Sequence, residues 1–318
     1  MKEIIKKIKQ SKRVGIIAHI SPDPDCMSSM TALSCILNQM GKQTHMFVDC
    51  DKFRDIMLYY ELPDNINGDI NAEEFDTLIA VDLPQLSLMG KYGEVFKNHK
   101  NTIVIDHHES RNLEATVKYV DATMSSCSEI IFDLAEKLNV EITPRIASLL
   151  YAGIIGDTNC FQNDNINEHT FLTAAGCIKY GADKNNVTFI FQKHQTYEEL
   201  KLKQLAYQNM VIKNKIAYCI FTKKMFKQAG VEECPTFVNE MLNTDDNVFA
   251  FVIKQKEKNT YTVSFRCKEG FNVAQIAQKF GGGGHIQAAG TMFVGAPTKH
   301  AKLIYEECIK QLEGKNVW

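Results

Sequence analysis

Four apolar runs in the first half of this chain end in acidic residues or histidine, and that arrangement constrains the fold more than any other feature. Val14-Gly15-Ile16-Ile17-Ala18 is followed by His19, Asp23 and Asp25, and Leu78-Ile79-Ala80-Val81 by Asp82. Thr102-Ile103-Val104-Ile105 leads into Asp106-His107-His108, and Ala152-Gly153-Ile154-Ile155-Gly156 into Asp157. In a parallel α/β sheet, ligands bind just outside the carboxyl ends of the strands, so residues far apart in sequence converge there. The pattern predicts an α/β unit whose polar residues gather at one end of a mostly parallel sheet.

Helical patterns alternate with these runs as far as about residue 190. Met30, Leu33, Ile36, Leu37 and Met40 share one helical face, with Gly41 as a cap. Ser126 to Glu129 has capping-box spacing, and Thr143-Pro144 is a helix start leading into Ala147, Leu150, Tyr151 and Ile154. Asn167 to Tyr180 reads as a further helix. Such alternation implies βαβ units. Beyond it the pattern changes: a charged helical stretch over 196–210, a strand at Ile216–Phe221, a hairpin of Val248–Lys254 and Thr260–Arg266, and a helical stripe at Val273, Ile276, Ala277 and Phe280. The expected organisation is a larger α/β domain over 1–190, a helical linker over 191–212 and a smaller α+β domain over 213–318.

At 318 residues the chain has ample length for two cores. No window approaches the ~20 consecutive apolar residues of a membrane helix. The basic N-terminus, with Ile4, Ile5 and Ile8 at helical spacing, reads as an amphipathic helix on the sheet rather than a signal peptide. A net charge of −2 argues against long nucleic acid as a partner, and no membrane partner is expected. Ten cysteines without a Cys-x-x-Cys pair read as small buried hydrophobes in a reducing, cytoplasmic setting.

His19, Asp23, Asp25, Asp82, His107 and Asp157 make six candidate metal ligands, four of them carboxylates. That set is too oxygen-rich and too numerous for one tetrahedral zinc. Two ions of higher coordination number fit better, and Mn²⁺ suits mixed imidazole and carboxylate donors. Two such ions could clamp an in-line phosphoryl displacement. Taken singly, Asp-Pro-Asp is an ordinary turn, a strand-end aspartate an ordinary helix cap, and a His pair ordinary surface; their coincidence in one α/β unit speaks for metal. In the second domain Gly281-Gly282-Gly283-Gly284-His285 follows the helix ending at Phe280. A glycine run lets backbone N–H groups approach an anion, though it serves equally as a flexible helix stop. Arg266 supplies a planar donor fork suited to phosphate.

These motifs together resemble the DHH phosphoesterases, and within them the branch that hydrolyses short oligoribonucleotides (nanoRNA) and 3′,5′-bisphosphate nucleotide (pAp). The resemblance runs through His19–Ser29, Asp82, Asp106-His107-His108 and Gly156-Asp157-Thr158, then Ser264-Phe265-Arg266 and Gly281–Gly290 of a DHH-associated domain. It implies a parallel-sheet catalytic domain with the smaller domain across a cleft. It implies two Mn²⁺ per chain, one on His19, Asp23 and Asp82, the other on Asp25, Asp82, His107 and Asp157, with Asp82 bridging. His108 would face the substrate, Asp106 would orient the His pair, and Arg266, Gly281, Gly282, Gly283, Gly284 and His285 would bind the nucleotide. A cytoplasmic enzyme follows, acting on short RNA or a nucleotide and not on long DNA; a homodimer fits the same reading. Two departures stand out: Asp23-Pro24-Asp25-Cys26 where the family commonly has Asp-Gly-Asp-Ala, and Asn159-Cys160 where Gly usually follows Asp-Thr. A phosphodiesterase of linear pApA or cyclic di-AMP, or a catalytically silent nucleotide sensor, remains open. Family II pyrophosphatases lack the glycine-His turn, and RecJ-type exonucleases need further DNA-binding modules.

Overall fold

Three of the apolar runs lie side by side as neighbouring parallel strands. The computed structural model describes residues 1–50, 59–63, 66–108, 113–232 and 237–314. It divides the chain into two compact units, Met1–His194 and Gln195–Trp318.

The first unit runs α1 (Lys2–Gln10), β1 (Arg13–Ile17), α2 (Pro24–Gln39), β2 (Gln43–Phe47), β3 (Thr77–Val81), α3 (Gly93–Asn98), β4 (Thr102–Asp106), β5 (Val117–Val120), α4 (Cys127–Leu138), α5 (Pro144–Asp157), α6 (Glu168–Lys179) and α7 (Lys184–Thr188). Its sheet has the order β2-β1-β3-β4-β5, with every pairing parallel. Side chains alternate along each strand. Val14, Ile16, Ile79, Val81, Ile103 and Ile105 enter the core beneath α1, α2, α4 and α5, while Ile17, Leu78, Ala80 and Val104 enter a second core with Tyr92 and Phe96. Both faces are thus covered, which is why β3 and β4 are buried at every residue. The register pairs Ile17 with Ala80 and Val81 with Ile105, so the residues after β1, β3 and β4 emerge along the same sheet end.

Helix starts follow from local chemistry. Asp23 caps α2 by accepting the N–H of Cys26 at 3.0 Å, and Pro24 takes the first helical position. Proline's missing donor costs nothing there, so this departure from the family motif fits the loop rather than disturbing it. Thr143 and Pro144 start α5 in the same way. The run before Asp157 is helical, as the helix start at Thr143-Pro144 predicts, and unlike the other three runs it is not a strand. Ala152–Gly156 is the last part of α5, and Asp157 closes that helix.

The second unit runs α8 (Tyr197–Asn209), β6 (Val211–Lys213), β7 (Ile216–Phe221), α9 (Lys223–Ala229), α10 (Val238–Leu242), β8 (Phe249–Gln255), β9 (Thr260–Cys267), α11 (Val273–Lys279), β10 (Gly283–Gly284), β11 (Ala288–Val294) and α12 (Pro297–Glu313). The sheet order is β10-β11-β9-β8-β7-β6; β7 and β8 are parallel and the other pairs antiparallel. The α8 stretch expected as a connector places Leu202 and Ala206 in a core with Cys219, Phe221, Phe226 and Val252. The opposite face packs Phe251, Phe265 and Phe293 against Ile276 and Ile304. Among the described residues no helix is long and apolar enough to cross a membrane.

Candidate metal centre

Asp82 sits one residue beyond β3, with its N–H still bonded to the Ile105 carbonyl at 2.9 Å, and its φ is +55°. That left-handed conformation is one that aspartate tolerates better than most residues, and it turns the chain sharply at the sheet end. The carboxylate is 2% exposed. His107 Nε2 lies 3.4 Å from Asp82 Oδ1 and 3.2 Å from Asp157 Oδ2. His19 Nε2 lies 3.9 Å from Asp82 Oδ2 and 3.7 Å from Asp23 Oδ2. Asp25, His107 and Asp157 form a further group whose ligand atoms lie within 4.8 Å of one another. All six residues singled out as ligands therefore meet in one cluster.

Asp106, the buried last residue of β4, organises the two histidines. Its Oδ1 accepts the backbone N–H of His107 at 2.9 Å and that of His108 at 3.4 Å. It also lies 2.7 Å from His108 Nδ1, which sets the His108 tautomer with a proton on Nδ1 and directs the ring. His107 Nδ1 faces the Met124 carbonyl at 3.3 Å, leaving Nε2 toward Asp82 and Asp157. The adjacent imidazoles thus face different partners: His107 is mostly buried among carboxylates, while the His108 side chain is 41% exposed.

The sequence did not reveal what holds Asp25. It lies inside the first turn of α2, not in a loop, and the start of α4 grips it. Cys127 N–H donates to Asp25 Oδ2 at 2.6 Å and Ser128 N–H to Oδ1 at 3.0 Å, with Ser29 Oγ at 3.4 Å from Oδ1. A helix N-terminus stabilises a carboxylate in this position. The close approach needs Gly153 on α5, where a Cβ would stand 2.6 Å from Asp25 Oδ1.

Burial and the nearby Asp82 and Asp157 push the Asp25 carboxyl well above its usual range. Burial lifts Asp157 to about 7; His107 opposes this, while Asp82 and Asp23 add to it. Burial works against the charged form of His107, but its bond to Asp82 and the charges of Asp25, Asp82 and Asp157 prevail and raise it to about 10. Asp23 moves the other way: burial would raise it, but His19 and the Cys26 N–H hold it below the ordinary range.

The donor set fits divalent cations. Asp82 Oδ1 is buried and makes no hydrogen bond, and only the His107 and His108 nitrogens face it, at 3.4 and 3.6 Å, too long to satisfy it fully. Asp157 occupies the C-terminal end of α5, where the helix dipole disfavours negative charge. Three crowded carboxylates facing imidazole nitrogens are a poor arrangement without positive charge between them, and a good one around it.

The residues singled out in the second unit are also accounted for. Arg266, half-buried on β9, pairs with Ala288 across the sheet, and its Nη1 donates to the Phe265 carbonyl at 2.9 Å. Gly283 and Gly284 pair with Gly290 and Ala289, and His285 and Ala288 close a tight turn through N–H···O bonds of 2.8 and 3.2 Å. A Cβ on Gly284 would stand 2.6 Å from the Ala288 carbonyl, so this glycine is there for close strand approach. The N–H groups of Gly281, Gly282 and His285 are committed within the unit, to Gln278, Ala277 and Ala288. Beyond Asp157, Asn159, Cys160 and Phe161 take φ values of +47°, +57° and +60°. This left-handed turn stands where the family usually has glycine, and Cys160 N–H to Ile155 O at 2.9 Å and Asn163 Nδ2 to Asp157 O at 2.8 Å hold it.

A parallel α/β unit with this cluster at its sheet end, followed by a smaller mixed-sheet unit, defines a phosphoesterase, a hydrolase of phosphoric esters. The chain belongs to the DHH family: residues 13–154 match the DHH family N-terminal domain and residues 213–311 the DHHA1 domain. A Mycoplasma genitalium relative named bifunctional oligoribonuclease and PAP phosphatase NrnA is 28% identical, covering 98% of this chain and 97% of its own. The Mycoplasma pneumoniae protein of that name is 26% identical over 98% of this chain and 96% of its own. The crystal structure of an exopolyphosphatase-related protein from Bacteroides fragilis shares the fold, with a TM-score of 0.85 at 21% identity over 98% and 96% of the two chains.

Proposed function

We propose that this protein is a cytoplasmic, manganese-dependent phosphoesterase that hydrolyses short oligoribonucleotides to mononucleotides and 3′,5′-bisphosphate nucleotide to AMP. The observation that carries the reading is the buried Asp82 carboxylate facing His19, His107 and His108, with one oxygen that makes no hydrogen bond. The names of the full-length relatives support the substrate class.

His19, Asp23 and Asp82 would hold one Mn²⁺, and Asp25, Asp82, His107 and Asp157 the other, with Asp82 shared. When bound, such ions neutralise charge on the phosphate and make water acidic enough to attack near neutral pH. The chain's own residues do the rest. Asp25, fixed by the start of α4, and His107, fixed by Met124, supply donors that need no reorganisation. His108, oriented by Asp106 and held toward its charged form by that bond, offers Nε2–H of the imidazolium to the phosphate or the leaving oxygen, where a donor placed at developing charge lowers the barrier. Arg266 and the side chain of His285 beside the Gly281–Gly284 turn would bind nucleotide, since the N–H groups of Gly281, Gly282 and His285 are already bonded within the unit.

The test is hydrolysis in Mn²⁺ of pAp, pApA, RNAs of graded length, cyclic di-AMP and pyrophosphate. Release of AMP from pAp and mononucleotides from the shortest RNAs is expected, with rates falling as length grows. Preference for cyclic di-AMP, or efficient decay of the longest strand, would replace this reading.

A further inference from the structure

Cys26 stands where the family motif commonly carries alanine. Its Sγ, a nitrogen of His19 and a carboxylate oxygen of Asp82 lie within 4.8 Å of one another. The residue is fully buried, and its backbone N–H is already committed to capping by Asp23. The second member, Asp82, is 2% exposed, and its Oδ2 lies 3.9 Å from His19 Nε2. Metal–nitrogen, metal–oxygen and metal–thiolate bonds of about 2.0–2.3 Å place neighbouring ligand atoms at separations of that order. The two other groupings, Asp82 with His107 and His108, and Asp25 with His107 and Asp157, offer only nitrogen and oxygen.

We propose that the two halves of the centre differ in kind, and that Cys26 supplies a thiolate ligand to the ion held by His19 and Asp82. The inference rests on reading the cluster as a metal centre. Its consequence is metal choice. Thiolate favours borderline ions such as Zn²⁺ and Co²⁺ over Mn²⁺, whereas carboxylate and imidazole accept Mn²⁺ readily. The Cys26 position would take Co²⁺ or Zn²⁺ in preference to Mn²⁺, leaving the Asp25–His107–Asp157 position the more open to Mn²⁺. Asp23, whose Oδ1 is committed to the Cys26 N–H, would contribute only through Oδ2.

The test begins with chelator-treated full-length protein titrated with Co²⁺. A sulfur-to-cobalt charge-transfer band in the near ultraviolet is expected for the wild type and Cys127→Ala, and its absence in Cys26→Ala and Cys26→Ser. Cys127 is the informative control because its thiol is also buried near the cluster, yet points at the Ile105 carbonyl, 3.4 Å away. In a Co²⁺/Mn²⁺ mixture, the bound ratio measured by mass spectrometry should fall at least about tenfold in Cys26→Ala, the scale on which even outer partners of a metal site act. Wild-type protein that binds Co²⁺ without the band, or a band lost in Cys127→Ala instead, would overturn the thiolate ligand and leave the phosphoesterase reading intact. Wild-type protein that binds no divalent cation would overturn both. Even if a Cys26 variant fails to fold, a wild-type Co²⁺ complex without the band overturns the proposal.

Discussion

Replacing Gly153 by alanine adds one methyl group at the most crowded point of the first unit, and its effect can be worked from the structure. The new Cβ would stand 2.6 Å from Asp25 Oδ1 and 2.8 Å from Ser128 Cβ, and would overlap Ser128 Oγ. Ser128, Ser29 and Asp25 are all buried, and Ser128 joins Ser29 through a 3.1 Å hydroxyl bond. Rotating the Ser128 hydroxyl relieves one contact but not the Cβ contact, so the start of α4 must shift and take the Asp25 carboxylate with it. Overpacking costs about 1–3 kcal/mol, and loosening the bonds to a buried carboxylate about 1–3 kcal/mol more. Alanine in a helix returns about 1 kcal/mol relative to glycine. The net loss is about 3 kcal/mol, or a fall in melting temperature of about 6–12 °C for a unit of this size. Thermal unfolding with and without Mn²⁺ measures it, and the gain in melting temperature on adding metal should shrink in the variant. Adding Ser128→Ala to Gly153→Ala should recover part of the stability but not the metal response, because the contact with Asp25 remains. A Gly153→Ala protein as stable and as metal-responsive as the wild type would refute this account of how Asp25 is placed.

Asp82→Ala should abolish hydrolysis of pAp and pApA and lower bound metal at both positions, measured on purified protein by mass spectrometry; retention of full turnover would remove the shared-ligand model. His107→Ala should lose metal, whereas His108→Ala should keep its metal and fold yet lose about 10²–10⁴-fold in turnover, the usual scale for a positioned proton donor; equal metal loss in both would show that their roles are not divided. Away from the centre, His169 lies 3.0 Å from Glu129 and 3.2 Å from Asp133. Burial opposes its charge, but the two carboxylates prevail and raise its pKa above the ordinary value. Its contribution to stability is therefore complete below about pH 6.5 and lost as pH rises through the raised value. The melting temperature of the wild type relative to His169→Gln should accordingly decline as pH rises above about 6.5, and a flat difference would count against the pairing.

The sequence was most legible where the chain must stop being apolar. Runs such as Leu78–Val81 and Ile103–Ile105 are buried on both sheet faces, so the first polar residue after each marks the sheet end, and Asp82 and Asp106 could be placed from that alone. The same rule does not describe Asp157, whose run was also legible as the end of the helix that starts at Thr143-Pro144. Ala152–Gly156 is equally apolar but forms the buried end of a helix, and a short apolar run does not distinguish the two. The helix starts at Pro24 and Pro144 were readable because caps are local chemistry. The grip of Cys127 and Ser128 on Asp25 was not, because residues about a hundred positions apart meet there only through packing of α2 on α4. The glycine run could be read as anion donors or as a helix stop; the structure uses Gly284 for space between β10 and β11. Cys26 was hidden for a different reason: a buried cysteine in a helix looks like any small apolar residue, and only the substitution of the motif's usual alanine signalled otherwise.

The cluster also shows why these residues are arranged as a functional centre and not for stability alone. A fold selected only for stability would not bury an Asp82 oxygen that makes no hydrogen bond, end α5 on Asp157, and hold Asp82 at φ +55° in one small region. Each feature is unfavourable by itself. Each becomes favourable if positive charge sits between the carboxylates: that oxygen gains a ligand, the helix-end carboxylate gains a counter-ion, and the sharp turn at Asp82 aims one side chain at both halves of the centre. In the metal-free chain the imidazolium of His107, raised to about 10, supplies part of that charge. Metal that binds there must displace this proton, so occupancy and protonation compete for the same carboxylates. The unfavourable features are concentrated just after β3 and at the end of α5, where Asp82 and Asp157 enter the cluster.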